Sequence, residues 1–126
     1  MARQTTLSPE AIGYITTALW SSTDNSDETG GEPLDKNYDI SDIDAETIMQ
    51  MIRDVEDFVA DNQQLLAESG LSRGRIGHDL WLNRNGHGAG FWDEGLGEVG
   101  ERLSAAAHAL GSYDLYVDDD GYISGS

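Results

Sequence analysis

Apolar positions recur at helical spacing in three stretches and alternate in two others. Ile12, Ile15 and Leu19, with Ala11 and Ala18 beside them, outline a first helix running to about Trp20. Ser8 stands as its cap, Pro9 at its first position and Glu10 at the positive end of its dipole. Ile48, Met51, Ile52, Val55, Phe58, Val59, Leu65 and Leu66 predict a longer second helix from about Ala45 to Ser69, with Asp44 as cap and Gly70 as stop. Leu96, Val99, Leu103, Ala106, Ala107 and Leu110 predict a third, closed by Gly111. Gly97 and Gly100 weaken its start by up to ~1 kcal/mol each and suggest close approach to a neighbour, expected to be the sheet.

Two hairpins complete the expected pattern. Asp120-Gly121 separates Tyr113–Val117 from Tyr122–Ser124, and Asn85-Gly86 sits at the centre of the stretch from Gly77 to Asp93. A two-residue turn at Asn85-Gly86 pairs Leu82 with Ala89, Leu80 with Phe91 and His78 with Asp93. That register puts Leu80, Leu82, Ala89 and Phe91 on a core face. It leaves Asp79, Trp81, Asn83 and Trp92 over glycines on the other face, with Arg84 and His87 beside the turn. A five-residue loop would instead set Asp79 opposite Asp93, which is unfavourable without a cation. The predicted fold is a single α+β domain over residues 1–126 in the order α-α-β-β-α-β-β, with helices packed on a small antiparallel sheet. Residues 24–39, from Asp24 to Asp39, lack periodicity and read as a mobile acidic loop pinned by Leu34 and Tyr38.

Charge narrows the partners. Against 24 acids stand seven bases, a net charge of −17, and there is no cysteine for a disulfide or thiolate site. Such a chain repels nucleic acid and anionic membranes, so neither is expected as a direct ligand, and no apolar run reaches the ~20 residues of a membrane span. From Asp24 to Asp61 thirteen acids face only Lys36 and Arg53. Asp42, Glu46, Asp54, Asp57 and Asp61 form a stripe along the second helix, with steps of three or four residues spacing carboxylates ~5–6 Å apart. A high-salt host would also select such a surface.

The stretch His78-Asp79-Leu80-Trp81-Leu82-Asn83-Arg84-Asn85-Gly86-His87-Gly88-Ala89-Gly90-Phe91-Trp92-Asp93 resembles a motif in a family of small proteins common in tailed-bacteriophage genomes. The similarity covers about two-thirds of the chain, from the preceding helix to the final Tyr-x-x-x-Asp-Gly segment. It implies a phage origin and a place in the host cytoplasm. The family has no settled activity, so no catalytic residue carries over.

Site chemistry is sparse. His78, His87, Asp79 and Asp93 lack a zinc-site spacing, no serine stands in a nucleophile elbow, and Asp118-x-Asp120-Gly121 lacks the first and last ligands of a calcium loop. No catalytic residue, metal ligand or cofactor is assigned, and the chain is not read as an enzyme. The expected function is binding: an acidic, nucleic-acid-mimicking inhibitor that engages the basic surface of a host nucleic-acid-acting or defence protein through Asp42, Glu46, Asp54, Asp57 and Asp61. The alternatives are a small-molecule or nucleotide-binding protein or enzyme using Asp79, Trp81, Asn83, Arg84, His87 and Trp92, and a minor virion component. A homodimer is compatible with either.

Overall fold

A computed structural model describes residues 7–24, 32–86 and 90–126. The α+β class holds, with helices dominating. Helix α1 spans Pro9–Ser21, α2 Ala45–Asp61, α3 Gln63–Ser69, α4 Arg73–Arg84 and α5 Glu98–His108. Two antiparallel strand pairs accompany them: β1 (Thr23–Asp24) with β2 (Glu32–Pro33), and β3 (Leu115–Val117) with β4 (Ile123–Gly125).

Helix α1 starts as the sequence predicts, with the Ser8 hydroxyl accepting from the Ala11 amide at 3.1 Å. Its buried face is Ala11, Tyr14, Ile15, Ala18 and Leu19, while Ile12 is turned outward. The long second helix is broken at Asn62, whose φ of −125° ends α2. The Asn62 amide still makes the helical bond to the Phe58 carbonyl at 3.1 Å, and its side-chain nitrogen adds a second bond to the same oxygen at 2.8 Å. Beyond the break α3 ends at Gly70, left-handed at φ 69° as a helix stop requires.

The central stretch is the main correction. Its first half is helix α4, not a strand, so the hairpin about Asn85-Gly86 is absent and the element order differs there from the predicted one. Ser72 caps the helix by accepting from the Arg75 amide at 3.2 Å. Asn-Gly serves here as a helix stop: Asn85 is the C-cap and Gly86 turns left-handed at φ 67°. The ambiguity has a physical cause. From Ile76 to Arg84 every residue except His78 is buried, so the helix lacks the polar stripe that would announce its 3.6-residue period. Gly88 and Ala89 of the expected return strand lie outside the described residues. Phe91–Asp93 forms a 3₁₀ turn with Phe91 stacked on Phe58, ring centres 5.7 Å apart.

The acidic stretch carries more order than a loop reading implies. Thr23–Asp24 pairs with Glu32–Pro33, Leu34–Lys36 makes one 3₁₀ turn, and Leu34 is fully buried with Tyr38 packed on the core. Residues 25–31 lie outside the described residues. At the other end β3 and β4 pair as Leu115 with Gly125 and Val117 with Ile123, with Gly121 left-handed in the turn. Ile123 bridges to Ile43, and its carbonyl accepts the Asp44 amide at 2.9 Å, so this hairpin is fastened to the start of α2.

One core joins these elements, and the contact of α1 with α4 runs through its middle. A Cβ on Gly77 would lie 1.9 Å from the Glu10 carbonyl oxygen and 2.6 Å from the Tyr14 nitrogen; one on Gly13 would lie 2.1 Å from the Gly74 oxygen. The two backbones therefore touch without intervening side chains. Gly100 does the same for α5, where a Cβ would meet the Phe91 oxygen at 2.7 Å, so the close approach expected from that glycine is made to the 3₁₀ turn and not to a sheet. Gly77→Ala is expected to destabilise the fold by about 3 kcal/mol, because backbone atoms cannot yield as side chains do. Gly74→Ala, whose Cβ would meet nothing within 4 Å, is expected to be neutral or to stabilise by up to ~1 kcal/mol. Urea denaturation of the two variants checks the contrast, and equal losses would refute it.

Candidate functional site

Two residues that the sequence assigned to separate surfaces meet in the interior. Arg84 closes α4, and its Nη1 donates to the Tyr14 hydroxyl and to Asp54 Oδ2, each at 2.9 Å. Its Nε donates to the Gly111 carbonyl at 2.8 Å, its Nη2 to the Leu110 carbonyl at 3.3 Å, and its guanidinium lies 5.5 Å from the Tyr113 ring centre. The Arg84 side chain is only 5% exposed. Burial opposes its charge, but Tyr14 and Asp54 more than offset that and hold its pKa above the usual arginine value. Burial likewise pushes the Tyr14 phenol upward, so it stays a neutral acceptor and donor.

The other members of the expected ligand face disperse. Alternate residues on a helix are rotated by ~200°, so Trp81 is turned away from Asp79 and Asn83, which lie four residues apart on one side, and the three cannot share a face as they would on a strand. Trp81 is buried against the edge of Tyr14 and donates its Nε1–H to the Ser21 hydroxyl at 2.8 Å. Asn83 donates to the Ser104 hydroxyl at 3.0 Å and accepts from the Phe91 amide at 3.1 Å, which fixes the 3₁₀ turn against α4. Trp92 is exposed, and His87 lies outside the described residues. The aromatic platform is therefore not formed by these side chains: four of the six are structural and buried.

The acidic stripe is thinned in a similar way. Asp54 is bound to Arg84, and Asp42 lies ahead of α2, where it accepts the Asp39 amide at 2.8 Å. Glu46, Asp57 and Asp61 remain exposed, with no ion pair to them among the described residues. Eleven residues of helix bring Asp57 to within ~20° of Glu46 around the axis and ~16 Å along it, and Asp61 follows ~6 Å further. Arg53 is exposed between them on the same side and donates to Gln50 at 3.1 Å. The surface is acidic but is not an unbroken ladder of phosphate-like charges.

A polar cluster that the sequence reading missed lies on the other side of α4. Asp79 is 1% exposed, and its Oδ2 has no hydrogen-bond partner among the described residues. Its Oδ1 is 3.0 Å from His78 Nδ1 and 3.5 Å from Arg75 Nε. Arg75 Nε also donates to Glu94 Oε2 at 2.6 Å, which links α4 to the segment after the 3₁₀ turn. Burial first, and then the neighbouring Glu94 carboxylate, push the Asp79 carboxyl up to about 8. Glu94 is lowered, chiefly by its interactions with Asp79 and with Arg75, so the pair holds one proton near neutrality and Asp79 keeps it. Burial and the charge on Arg75 lower the His78 pKa, which leaves the imidazole neutral at pH 7. The expected His78–Asp93 pair is replaced by His78–Asp79, since both residues now stand on one helix. The Arg75–Asp79 spacing of four was the signal that a helical reading would have supplied.

Beside this cluster, Ile12, Thr16, Trp20, Gly74 and His78 line a groove of about 600 Å³ between α1 and α4, with Trp20 and His78 6.1 Å apart. A second hollow of about 630 Å³ lies between α2 and β4, lined by Glu46, Met49, Arg53 and Tyr113. Among the described residues no three histidine or carboxylate side chains gather closely enough to hold a metal, and no helix is long and apolar enough to cross a membrane. No family model, curated protein or solved structure matches the chain.

The Arg84 network yields a direct test. Arg84→Met leaves a partly buried carboxylate, a phenol and two carbonyls without their donor and is expected to destabilise the fold by about 3 kcal/mol. Asp54→Asn keeps a hydrogen-bonding group and is expected to lose about 1 kcal/mol. Urea midpoints at constant slope measure both, and a loss below ~1 kcal/mol for Arg84→Met would remove the network from any central role.

Proposed function

We propose that the protein acts by binding, through the outward side of α2, to a partner that presents a basic surface. The observation that carries this reading is the placement of Glu46, Asp57 and Asp61: exposed, on one side of a rigid helix, and free of ion pairs among the described residues. A net charge of −17 adds long-range attraction to any basic partner, so association is fast at low salt and weakens as salt is raised. In the phage setting that the sequence motif suggests, the partner is a host protein built to neutralise phosphates, such as a nuclease or a defence enzyme met in the host cytoplasm. The three carboxylates then occupy part of its nucleic-acid site. Arg53 within the stripe makes the match to a phosphate backbone partial and offers one cation to an acidic group of the partner.

Charge reversal tests location as well as sign. A Glu46→Lys, Asp57→Lys, Asp61→Lys variant is expected to lose partner capture from a host lysate, with affinity reduced at least about tenfold. A control with Glu101, Asp119 and Asp120 reversed changes the net charge equally at exposed sites elsewhere and is expected to retain capture. Equal loss in both variants would reduce the effect to overall charge, and retention in both would remove α2 from the interface.

A further inference from the structure

Asp79 cannot move away from its surroundings, whereas Glu94 can. Asp79 belongs to the buried middle of α4. Glu94 follows the 3₁₀ turn in a stretch with left-handed glycines at Gly95 and Gly97, φ 73° and 62°. Among the described residues, Arg75 to Glu94 is the one side-chain hydrogen bond that joins positions 92–97 to another element. We propose that Asp79 and Glu94 form a proton-operated latch that fastens the segment Trp92–Gly97 onto α4 and loosens it when Asp79 gives up its proton.

The mechanism is competition for Arg75. With a proton on Asp79, Arg75 is available to Glu94 and holds it at 2.6 Å. When that proton leaves to solvent, a second carboxylate appears 3.5 Å from the same guanidinium, with its Oδ2 unpartnered among the described residues. The buried anion has the stronger need for the cation, because it has no water to turn to. With Asp79 and Glu94 both charged around one guanidinium and Asp93 adding a third carboxylate, repulsion weakens the hold on Glu94 and loosens the segment that carries it.

Among the described residues, the other charged groups around Asp79 do not supply a substitute. His78 on the same helix is neutral at pH 7 and is itself disfavoured as a cation by Arg75. Asp93, beside Glu94, is acidic and caps the Gly90 amide at 3.0 Å, which adds repulsion. From α1 the only charged side chain is Glu10, which Arg73 holds at 2.8 Å. From α5, Glu98 pairs with Arg102 at 2.9 Å, and Glu101 and His108 are exposed.

The sign of the effect follows from where the protons sit. Asp79 has a raised pKa when latched and a lower one when the segment is open and water reaches it. Its contribution to closure is present below that lower value, declines as pH rises, and is spent once pH passes about 8. His78 acts oppositely, but only below its ordinary value of 6.5, and Glu94 oppositely below 4.5. Between pH 6.5 and 8 Asp79 acts alone.

Amide hydrogen exchange on the full chain, corrected for the intrinsic rate at each pH, reads the latch. Protection of the Asp93 and Glu94 amides, which bond to the Gly90 and Phe91 carbonyls, is expected to fall about tenfold between pH 6.5 and 8 relative to amides in α2, and then to level off. Asp79→Asn, which mimics the protonated carboxyl, is expected to keep protection constant over that range. Loss that is uniform across the molecule, or equal loss in Asp79→Asn, would overturn the latch. Should that variant fail to fold, the side-chain carboxyl carbon shift of Asp79 in the unmodified protein decides the matter. Titration above pH 7 together with local loss of protection supports the latch, and titration with the ordinary carboxylates below pH 5 overturns it.

Discussion

Contact between α1 and α4 without intervening side chains sets the geometry for much of the molecule. Most helix pairs are held 8–10 Å apart by the side chains between them. Here Gly13 and Gly77 let the backbones touch, and α4 sinks into the core until nearly its whole second half is buried. Three consequences follow from that depth. Trp81 and Leu80 become core residues, Arg84 arrives at the interior with its charge, and Asp79 is taken out of water on the far side. A looser crossing would leave all three polar ends solvated and would need neither the Arg84 network nor the Asp79–Glu94 pair.

The two buried polar clusters on α4 are resolved differently. Arg84 meets a phenol, a carboxylate and two carbonyls, so four of its five guanidinium N–H groups have an acceptor, and its plane lies near an aromatic ring. Asp79 has one oxygen engaged and the other unpartnered among the described residues, in a neighbourhood where acids outnumber the single arginine. The first arrangement is a fixed structural tie. The second is an imbalance that a proton settles.

The sequence disclosed those parts of the fold whose signals are local. Ser8-Pro9, Asp44, Gly70 and Asp120-Gly121 each mark a cap or turn that the structure contains, and the amphipathic faces of α2 and α5 were legible from periodicity. Helix α4 was not legible, because a helix buried all round has no polar stripe and because Asn-Gly ends helices as readily as it turns hairpins. That one reversal turned Trp81 away from Asp79 and Asn83 and concealed the Arg75–Asp79 step. The pairing of Asp54 with Arg84 was hidden for another reason: thirty residues separate the two, and nothing local in either neighbourhood indicates the contact. Exposed carboxylates such as Glu46, Asp57 and Asp61 were easier to place, since a strongly amphipathic helix fixes its own outward side.

Arg84 also has a bearing on how the chain reaches its fold. The carbonyls of Leu110 and Gly111, left open where α5 ends, are satisfied by a guanidinium from a helix that closed more than twenty residues earlier. Tyr14 and Asp54 bring α1 and α2 to the same atoms. No contiguous half of the sequence contains all the partners, so neither half alone can shelter that charge. The chain is therefore expected to assemble in a single concerted step, with its C-terminal helix finished only when its first helix is already in place.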